Sequence, residues 1–237
     1  MKRILLIVLL LTVTAGYYKT YSQDWENQTS GTTSELRSIY FYDLNNGWAV
    51  GYQGIIIHTN DGGFNWIAQT SGTTSDLNSV YFVSQTQGWA VGKNGTIITT
   101  TDGGTTWLSQ TSGSTYELTA VHFVDATTGW IGGAMDVILF TSDAGVSWNA
   151  VPSGFSPSLN GLDALDANTA WAAGNSGVVI TTTDGGSNWN YIATSGGITL
   201  FDIGFADASN GWVVGMGGKI FHSTDGGSTW SLQMSGT

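Results

Sequence analysis

Residues 36–66, LRSIYFYDLNNGWAVGYQGIIIHTNDGGFNW, contain the pattern that decides the fold. Their first stretch, LRSIYFYD, is rich in β-branched and aromatic residues and is followed by two turn-forming asparagines, which is typical of a strand. The short stretch WAVG then leads through a glycine-bearing turn into a third apolar stretch, Ile55 to Thr59. The following Asn-Asp-Gly-Gly predicts a hairpin turn, because glycine accepts positive φ and the Asp61 carboxylate can bond nearby backbone N–H groups. With a fourth strand that starts near Trp66, these residues predict four short antiparallel strands.

The same pattern returns every 41 residues along the chain. All eleven tryptophans fall into two columns with this spacing, and the first column comprises Trp25, Trp66, Trp107, Trp148, Trp189 and Trp230. The second column comprises Trp48, Trp89, Trp130, Trp171 and Trp212. Leucine, glycine and aspartate columns keep the same spacing, and the aspartates are Asp61, Asp102, Asp143, Asp184 and Asp225. Such regularity indicates one structural unit repeated along the chain.

Four short antiparallel strands in about 40 residues, repeated along a chain, are typical of a β-propeller blade. Each blade is too small to fold alone, so neighbouring blades must stack face to face and bury both sides of their sheets. We therefore predict an all-β fold, a β-propeller with five four-stranded blades at about residues 34–74, 75–115, 116–156, 157–198 and 199–237.

Ring closure is the part of this fold that the repeat leaves open. Residues 25–31, WENQTSG, match the fourth strand of a repeat but have no blade of their own. Propellers commonly close by pairing strands from the two termini, so this extra N-terminal strand is expected to complete the last blade. The last blade already has its own fourth strand, WSLQMSG. Two alternatives follow: a truncated part of a larger propeller with about six or more blades, or a five-bladed ring with a redundant strand.

The first residues have the pattern of a secretory signal peptide. Lys2 and Arg3 precede a short apolar run, and a small-residue cleavage site is available after Ser22. We predict a signal peptide at residues 1–22 and a mature chain of residues 23–237 without a transmembrane segment. The mature protein is expected to be secreted, either outside the cell or into a periplasm.

The composition excludes several classes of protein. The chain has 237 residues with 34 glycines, no cysteine and a formal net charge of −11. Without cysteine there are no disulfides and no cysteine-ligated metal. Six basic residues against 17 acidic ones leave no basic stripe of the kind that nucleic-acid binding needs, so no nucleic-acid partner is expected.

The turn before the fourth strand resembles a known motif. HTNDGGFNW, TTTDGGTTW, FTSDAGVSW, TTTDGGSNW and HSTDGGSTW are similar to the Asp-box, or bacterial neuraminidase repeat. With the preceding GWAVGYQG, GWAVGKNG and GWVVGMGG, each repeat resembles the photosystem II stability and assembly factor type of propeller repeat, which is widespread in secreted bacterial proteins. The resemblance implies the propeller fold and a structural role for the aspartate column and for the first tryptophan column from Trp66 onward. Asp-box propellers include sialidases, xyloglucanases and proteins with no known activity, so the motif implies no single function.

The sequence argues against an active site. A sialidase needs three arginines that clamp the sugar carboxylate, and the predicted mature chain has Arg37 alone. The 41-residue spacing holds over five repeats without a net insertion, whereas active sites on propellers usually depend on loops that differ between blades. His58, His122 and His222 are scattered, and the spaced acidic ligands of an EF-hand are missing. We therefore expect no enzymatic activity, no catalytic residue, no cofactor and no bound metal.

The columns that vary between repeats predict a binding face. In propellers, one face carries the turns between second and third strands together with the links from each fourth strand to the next blade. Exposed aromatic side chains beside carboxylates at such positions suit a protein or a glycan partner, although drift of surface loops explains the variation equally well. The candidate residues are Glu35, Tyr52, Asp76, Lys93, Tyr116, Glu117, Met135 and Phe155.

These observations favour a non-enzymatic secreted propeller that is a scaffold or binding module and mediates protein interactions. A carbohydrate-binding or glycoside-hydrolase-like propeller is the alternative, because hydrolysis needs only two carboxylates across a cleft and the chain has 17 acidic residues. A role like that of a photosystem II assembly factor is a second alternative, implied by the resemblance. The ligand and the oligomeric state stay open.

Overall fold

The computed structural model describes residues 27–156, 158–194 and 197–234. Within these residues, twenty strands form five antiparallel sheets of four strands each, which are the five blades of a propeller. The strand order in every sheet follows the chain order, and every sheet lies inside one of the five repeat units. The prediction of an all-β propeller with four-stranded blades is therefore confirmed.

The strands have the following bounds. Blade 1 comprises β1 (Leu36–Phe41), β2 (Gly47–Gly51), β3 (Ile56–Thr59) and β4 (Ile67–Gln69). Blade 2 comprises β5 (Leu77–Phe82), β6 (Gly88–Gly92), β7 (Ile97–Thr100) and β8 (Leu108–Gln110). Blade 3 comprises β9 (Leu118–Phe123), β10 (Gly129–Gly133), β11 (Ile138–Thr141) and β12 (Asn149–Ala150). Blade 4 comprises β13 (Leu159–Ala164), β14 (Ala170–Gly174), β15 (Val178–Thr182) and β16 (Asn190–Ala193). Blade 5 comprises β17 (Leu200–Phe205), β18 (Gly211–Gly215), β19 (Lys219–Ser223) and β20 (Ser231–Gln233).

Neighbouring blades are held together by buried aromatic rings. Trp48 of blade 1 stacks on Phe82 of blade 2, with ring centroids 3.6 Å apart and planes inclined by 11°. The Trp48 indole also donates a hydrogen bond to the Gly103 carbonyl of blade 2, at 3.2 Å. The same stacking joins Trp89 to Phe123 and Trp171 to Phe205. Because the rings of Trp48, Trp89 and Trp171 are large, flat and buried, these tryptophans form the core of the contacts between their blades.

One aspartate closes each turn between a third and a fourth strand, and we call these turns the Asp turns. In blade 2, Asp102 Oδ1 accepts hydrogen bonds from Thr100 Oγ1 at 2.8 Å and from Thr106 N–H at 2.9 Å. The Thr100 hydroxyl in turn accepts a bond from Gly104 N–H at 2.8 Å. Gly103 and Gly104 both have positive φ, which glycine adopts at little cost. The equivalent carboxylate and hydroxyl bonds recur at Asp61, Asp143, Asp184 and Asp225.

The two ends of the row of blades are not joined within the described residues. No strand of blade 5 packs on β1 there in the way that the first strands of neighbouring interior blades pack on one another, so these residues form an open arc and not the five-bladed ring. The side chain of Ile39 in blade 1 is 59% exposed, whereas its equivalent in blade 2, Val80, is 3% exposed. At the other end, Trp212 is 38% exposed, whereas Trp48 is 0% exposed.

The prediction of an extra strand at residues 25–31 that completes the last blade is wrong for its described part. Residues 25 and 26 lie outside the described residues, as does the predicted signal peptide, and residues 27–31 form no strand and belong to no sheet. Gln28 Oε1 instead accepts a hydrogen bond from the Trp66 indole at 3.2 Å, as Gln69 does from Trp107. The hydrogen bond from Trp66 to Gln28 holds this segment against blade 1. Among the described residues, no third strand is available for the segment to pair with.

Candidate binding face

Five 3₁₀ turns between second and third strands define one face of the propeller, which we call the turn face: Tyr52–Gly54, Lys93–Gly95, Ala134–Asp136, Asn175–Gly177 and Met216–Gly218. The first residue of each turn donates its backbone N–H to the carbonyl of the residue that precedes the first strand. Tyr52 bonds to the Glu35 carbonyl in this way at 2.9 Å, and Lys93 bonds to the Asp76 carbonyl at 2.9 Å. These bonds place the turns and the links between blades side by side on the turn face.

A β-bulge at the start of each first strand contributes a further residue to this region. The pairing of β1 with β2 shifts between Leu36 and Ser38, and the other four blades show the same shift. A bulged residue is left out of the ladder and its side chain is aimed differently from its neighbours. The bulged residues are Arg37, Asn78, Thr119, Asn160 and Phe201. Arg37 is not among the residues predicted for the binding face, although it is the single arginine of the described residues and lies in a variable column, which was a usable signal.

Asp76 is the centre of a charged group between blades 1 and 2. Its Oδ2 atom lies 2.8 Å from Lys93 Nζ and 3.7 Å from Arg37 Nη2. Its Oδ1 atom accepts a hydrogen bond from Gln53 N–H at 3.0 Å. The Gln53 bond and then the Lys93 bond hold the pKa of Asp76 below its usual value, and Asp76 raises the pKa of Lys93. Both groups are therefore charged at neutral pH and fix each other in place.

The Tyr52 ring lies close to both cations of this group. Arg37 Cζ is 4.3 Å and Lys93 Nζ is 5.7 Å from the centroid of the ring, within the range of cation–π attraction. Tyr52 remains 38% exposed. The ring is therefore held in one orientation while part of it stays accessible to a ligand.

Two glutamates border the same group. Glu35 Oε1 lies 3.3 Å from Arg37 Nε. Arg37 Nη1 donates to Asn78 Oδ1 at 2.6 Å, and Asn78 Nδ2 donates to Glu117 Oε1 at 3.0 Å, so a polar chain runs from blade 1 to blade 3. Five of these residues are linked through the contacts of Arg37 and Lys93, and we call them the charged cluster: Glu35, Arg37, Tyr52, Asp76 and Lys93.

The remaining candidates lie farther round the turn face, near blade 3. Tyr116, Met135 and Phe155 are exposed, and Phe155 packs against Tyr191 of blade 4 with ring centroids 5.3 Å apart. Tyr116 lines a separate cavity of about 410 Å³ beside Trp148. Four of the eight predicted residues therefore belong to the charged cluster, Glu117 is joined to it through Asn78, and Tyr116, Met135 and Phe155 lie apart from it.

Blade 3 differs from the other blades at its 3₁₀ turn. Asp136 has φ +63° at the position that Gly54 has in blade 1. The buried Asp136 carboxylate accepts hydrogen bonds from Ser153 N–H at 3.0 Å and from Gly154 N–H at 2.7 Å. These bonds tie the turn to the link that carries Phe155, and they offset the strain of a non-glycine residue at positive φ.

The first strands also line a central channel, which encloses about 430 Å³ and which the sequence analysis did not single out. Tyr40, Tyr81, His122 and Asp163 share one column of the repeat, and the ring centroids of the first three are 4.6 and 4.7 Å apart in succession. His122 Nδ1 lies 3.1 Å from Asp163 Oδ1. Burial lowers the pKa of His122, and the Asp163 carboxylate opposes this shift. The 41-residue spacing of Tyr, Tyr, His and Asp could have revealed this column.

Two kinds of feature do not occur in residues 27–156, 158–194 and 197–234. Within them, no group of three or more His, Asp or Glu side chains is arranged to hold a metal ion. None of the helices among the same residues is long and apolar enough to cross a membrane.

The repeat just described matches a known family. A family model described as photosynthesis system II assembly factor YCF48 matches residues 69–197, which is more than half of the chain. The chain belongs to the YCF48 family. The part that matches the YCF48 model begins at the end of blade 1 and includes Asp76 and Lys93 of the charged cluster. The resemblance to the photosystem II assembly factor type of repeat is thereby confirmed. Comparison with curated protein sequences gives no match.

Solved structures share the fold of this YCF48-family chain at low sequence identity. YCF48 from Cyanidioschyzon merolae is 19% identical with a TM-score of 0.60, over 85% of this chain and 85% of that chain. A structure of YCF48 bound to D1 peptide is 20% identical with a TM-score of 0.52, over 86% of this chain and 82% of that chain. The GH74 enzyme of Niastella koreensis is 17% identical with a TM-score of 0.66, over 85% of this chain and 38% of that chain. These likenesses show the fold, and the function has to be argued from the site.

Proposed function

We propose that this chain is a non-enzymatic binding module that holds a segment of a partner protein on its turn face, at the charged cluster. The observation that carries the proposal is the Tyr52 ring, which Arg37 and Lys93 hold in place while it stays exposed. Preorganised aromatic side chains beside charged groups are favoured at protein interfaces, because little side-chain entropy is lost on binding. The structure of YCF48 bound to D1 peptide supports a peptide ligand, since that protein belongs to the same family.

The acidic residues support a binding role more than a catalytic one. Hydrogen bonds from the residue four positions later lower the pKa of all five Asp-turn aspartates, so these carboxylates are ionised structural acceptors. A general acid needs the opposite shift, with a pKa raised towards neutrality. In the channel, Asp163 Oδ2 accepts a hydrogen bond from Phe205 N–H at 2.6 Å, and Asp163 Oδ1 lies 3.1 Å from His122 Nδ1. We therefore include no catalytic step in the proposed function.

The proposal also places the mature protein in an extracytoplasmic compartment. The charged start and apolar run of residues 1–22 support export, because they match the segments of a secretory signal. The partner would then be a protein or peptide of the same compartment. N-terminal sequencing of the protein recovered from that compartment should begin at Gln23, and an intact Met1 would contradict this part of the proposal.

A peptide-display library panned on the whole chain tests the binding site. Selected peptides are measured by fluorescence anisotropy against the wild type and against Arg37→Asn, Tyr52→Asn and Lys93→Asn. Asparagine is chosen because blade 2 has Asn78 at the position of Arg37, and blade 4 has Asn175 at the position of Tyr52. We expect each change to weaken binding by about tenfold, the loss typical of a side chain at the centre of an interface.

Lys219→Asn is the matched control, since it removes one exposed positive charge next to the turn of blade 5. Peptides whose affinity is unchanged by all three cluster variants would contradict the proposed site. Binding of soluble glycans, or release of reducing sugar that disappears on replacing Asp76 or Glu117, would favour the carbohydrate alternative.

A further inference from the structure

The cavity beside Trp148, which the proposed function does not use, lies between blades 2 and 3. It encloses about 410 Å³, and one of its walls is the link from blade 2 into blade 3, Ser112 to Tyr116. The opposite wall belongs to blade 3 and includes Ile138 of β11, Trp148 and Pro152. Because both walls come from interior blades, the cavity is independent of the open ends of the arc.

Hydrogen bonds and ring packing hold the walls of this cavity in place. The Trp148 indole donates a hydrogen bond to Gln110 Oε1 at 3.2 Å, and its ring packs edge-on against Phe123 with centroids 5.9 Å apart. In the link, Ser112 Oγ donates to the Ser114 carbonyl and accepts from Ser114 N–H, both at 3.1 Å. A ligand therefore meets a preformed site, and little entropy is lost in ordering the walls.

Blade 4 shows which side chains fill the equivalent space. There the incoming link supplies Phe155 and the fourth strand supplies Tyr191, and their rings pack together with centroids 5.3 Å apart. The residues 41 positions earlier, at the cavity, are Ser114 of the link and Ala150 of β12, and both line it. Two small side chains thus stand where blade 4 has a pair of aromatic rings. The repeat itself therefore indicates that the cavity suits an aromatic ring.

The lining of the cavity favours an uncharged ring over an anion. Tyr116 is 51% exposed and Trp148 is partly exposed, so both rings are accessible to a ligand. Aromatic rings attract one another through edge-on and offset packing. Among the described residues that line the cavity, none is Lys, Arg or His, and the one carboxylate, Asp136, already accepts from Ser153 N–H and Gly154 N–H. An acidic group would therefore find no positive partner there.

We propose that this cavity takes one aromatic side chain of the partner segment that the charged cluster holds, an inference that rests on the proposed function for the identity of the ligand. The two sites are adjacent, because Asn78 joins Arg37 of the cluster to Glu117, the neighbour of Tyr116. Packed sheets lie about 10 Å apart and an extended chain advances about 3.3 Å per residue. The aromatic residue therefore lies about three to five positions from the residue that contacts Tyr52.

N-acetylphenylalaninamide, an uncharged aromatic probe, tests the cavity without the charged cluster. Saturation-transfer NMR should detect its binding to the wild type, and N-acetylalaninamide should give no signal. Ala150→Tyr should abolish the binding, because it fills the cavity with the residue that blade 4 has at this position. Ser109→Tyr is the matched control, since it makes the equivalent change at an exposed residue of β8 and should bind like the wild type. Circular dichroism verifies that both variants are folded.

The peptides selected on the whole chain test whether one segment reaches both sites. For peptides that lose affinity in Tyr52→Asn, Ala150→Tyr should weaken binding by about tenfold, the loss typical of an aromatic anchor in a pocket. Replacing one aromatic residue of the peptide by alanine should remove the effect of Ala150→Tyr. Tyr52→Asn should still weaken binding of the alanine peptide, because the contact with the charged cluster remains.

The outcomes separate this inference from the proposed function. Absence of amide binding to the wild type, or equal binding to Ala150→Tyr, overturns the aromatic site whatever the cluster variants show. Peptides that depend on Tyr52 but bind Ala150→Tyr as well as the wild type overturn the shared segment and leave the charged cluster as the binding site. Peptides that respond to Ala150→Tyr but to none of the cluster variants contradict the proposed function, and with it the shared segment, while the cavity remains an aromatic site.

Discussion

The turn face and the face that carries the Asp turns are built by different means, although the residues of both repeat every 41 positions. At the Asp turns the side chains themselves repeat, and each aspartate makes the same bonds to the turn backbone and to a buried hydroxyl. On the turn face the repeated bonds are between backbone atoms, such as Tyr52 N–H to the Glu35 carbonyl, while the side chains differ from blade to blade. Stability therefore depends on which side chains are present at the Asp turns, whereas the side chains of the turn face can vary and are available for recognition.

The largest effect on stability is expected from Trp107→Ala, next to the Asp turn of blade 2. Trp107 is buried, packs edge-on against Phe82 with centroids 5.9 Å apart, and donates its indole N–H to Gln69. Its removal should lower the free energy of unfolding by about 3–5 kcal/mol, as for other large buried aromatics. Urea unfolding measures this loss, and wild-type stability in the variant would refute the packing assigned to this column.

A smaller loss is expected from Thr100→Val in the same turn. The buried Thr100 hydroxyl bonds to Asp102 and accepts from Gly104 N–H, so valine leaves the Gly104 N–H unsatisfied and removes one of the hydrogen bonds to Asp102. We expect a loss of about 1–3 kcal/mol in the free energy of unfolding. Thr101→Val makes the same chemical change at the exposed neighbouring position and should have little effect. Equal losses in the two variants would mean that the hydroxyl bonds do not matter.

Acid should lower the stability that the Asp turns provide. The pKa values of the five Asp-turn aspartates lie below the usual 3.8, so their bonds add stability above that pH and lose it as the pH falls through the lowered values. Burial raises the pKa of Asp202, which acts in the opposite sense but is a single group. Thermal midpoints should therefore fall steeply below about pH 4. Midpoints that stay level from pH 5 to about pH 2 would contradict this origin of stability.

A gain in stability is expected in blade 5, where the indole N–H of Trp230 lacks a hydrogen-bond acceptor among the described residues. Trp230 Nε1 is buried without a hydrogen-bond acceptor among the described residues, because Ile192 stands at the position of Gln69 and Gln110. Ile192→Gln should raise the free energy of unfolding by about 0.5–1 kcal/mol. Val151→Gln is the control, since Trp189 already bonds to the Val151 carbonyl at 3.0 Å. A higher free energy of unfolding in Val151→Gln but not in Ile192→Gln would contradict the assignment of Trp230 as the tryptophan that lacks an acceptor.

The smallest effect on stability is expected on the turn face. Tyr52→Asn removes an exposed ring while the backbone bond to Glu35 remains, so the free energy of unfolding should change by about 1 kcal/mol or less. The affinity for selected peptides should fall in the same variant. A large loss of stability would show that the charged cluster stabilises the fold, and would remove the contrast between the turn face and the Asp turns.

The spacing of the residues was enough to predict the blades, because each strand and turn depends on residues close in sequence. The sequence did not show that Arg37 joins the charged cluster, since that requires the bulge at the start of β1 and the neighbouring blade that supplies Asp76. The channel column of Tyr81 and His122 was missed for a similar reason, because its members meet only when the blades are assembled.

The error at residues 25–31 has a specific cause. The similarity of this segment to a fourth strand reflects a side-chain contact, in which Gln28 accepts from Trp66, as well as strand pairing. Where a third strand is present, as for Gln69 in β4, both features occur together. At residues 27–31 the side-chain contact forms without the strand, so the sequence pattern alone could not separate the two.

The indole hydrogen bonds between blades have a consequence for how such chains change over evolutionary time. Trp48, Trp89 and Trp171 each donate to a carbonyl that lies 55 residues further along the chain, in the turn of the next blade. A gene duplication or deletion of one 41-residue unit preserves this offset, because donor and acceptor are shifted together. Recombination within the gene can therefore add or remove a whole blade at these three interfaces while the indole hydrogen bond is kept.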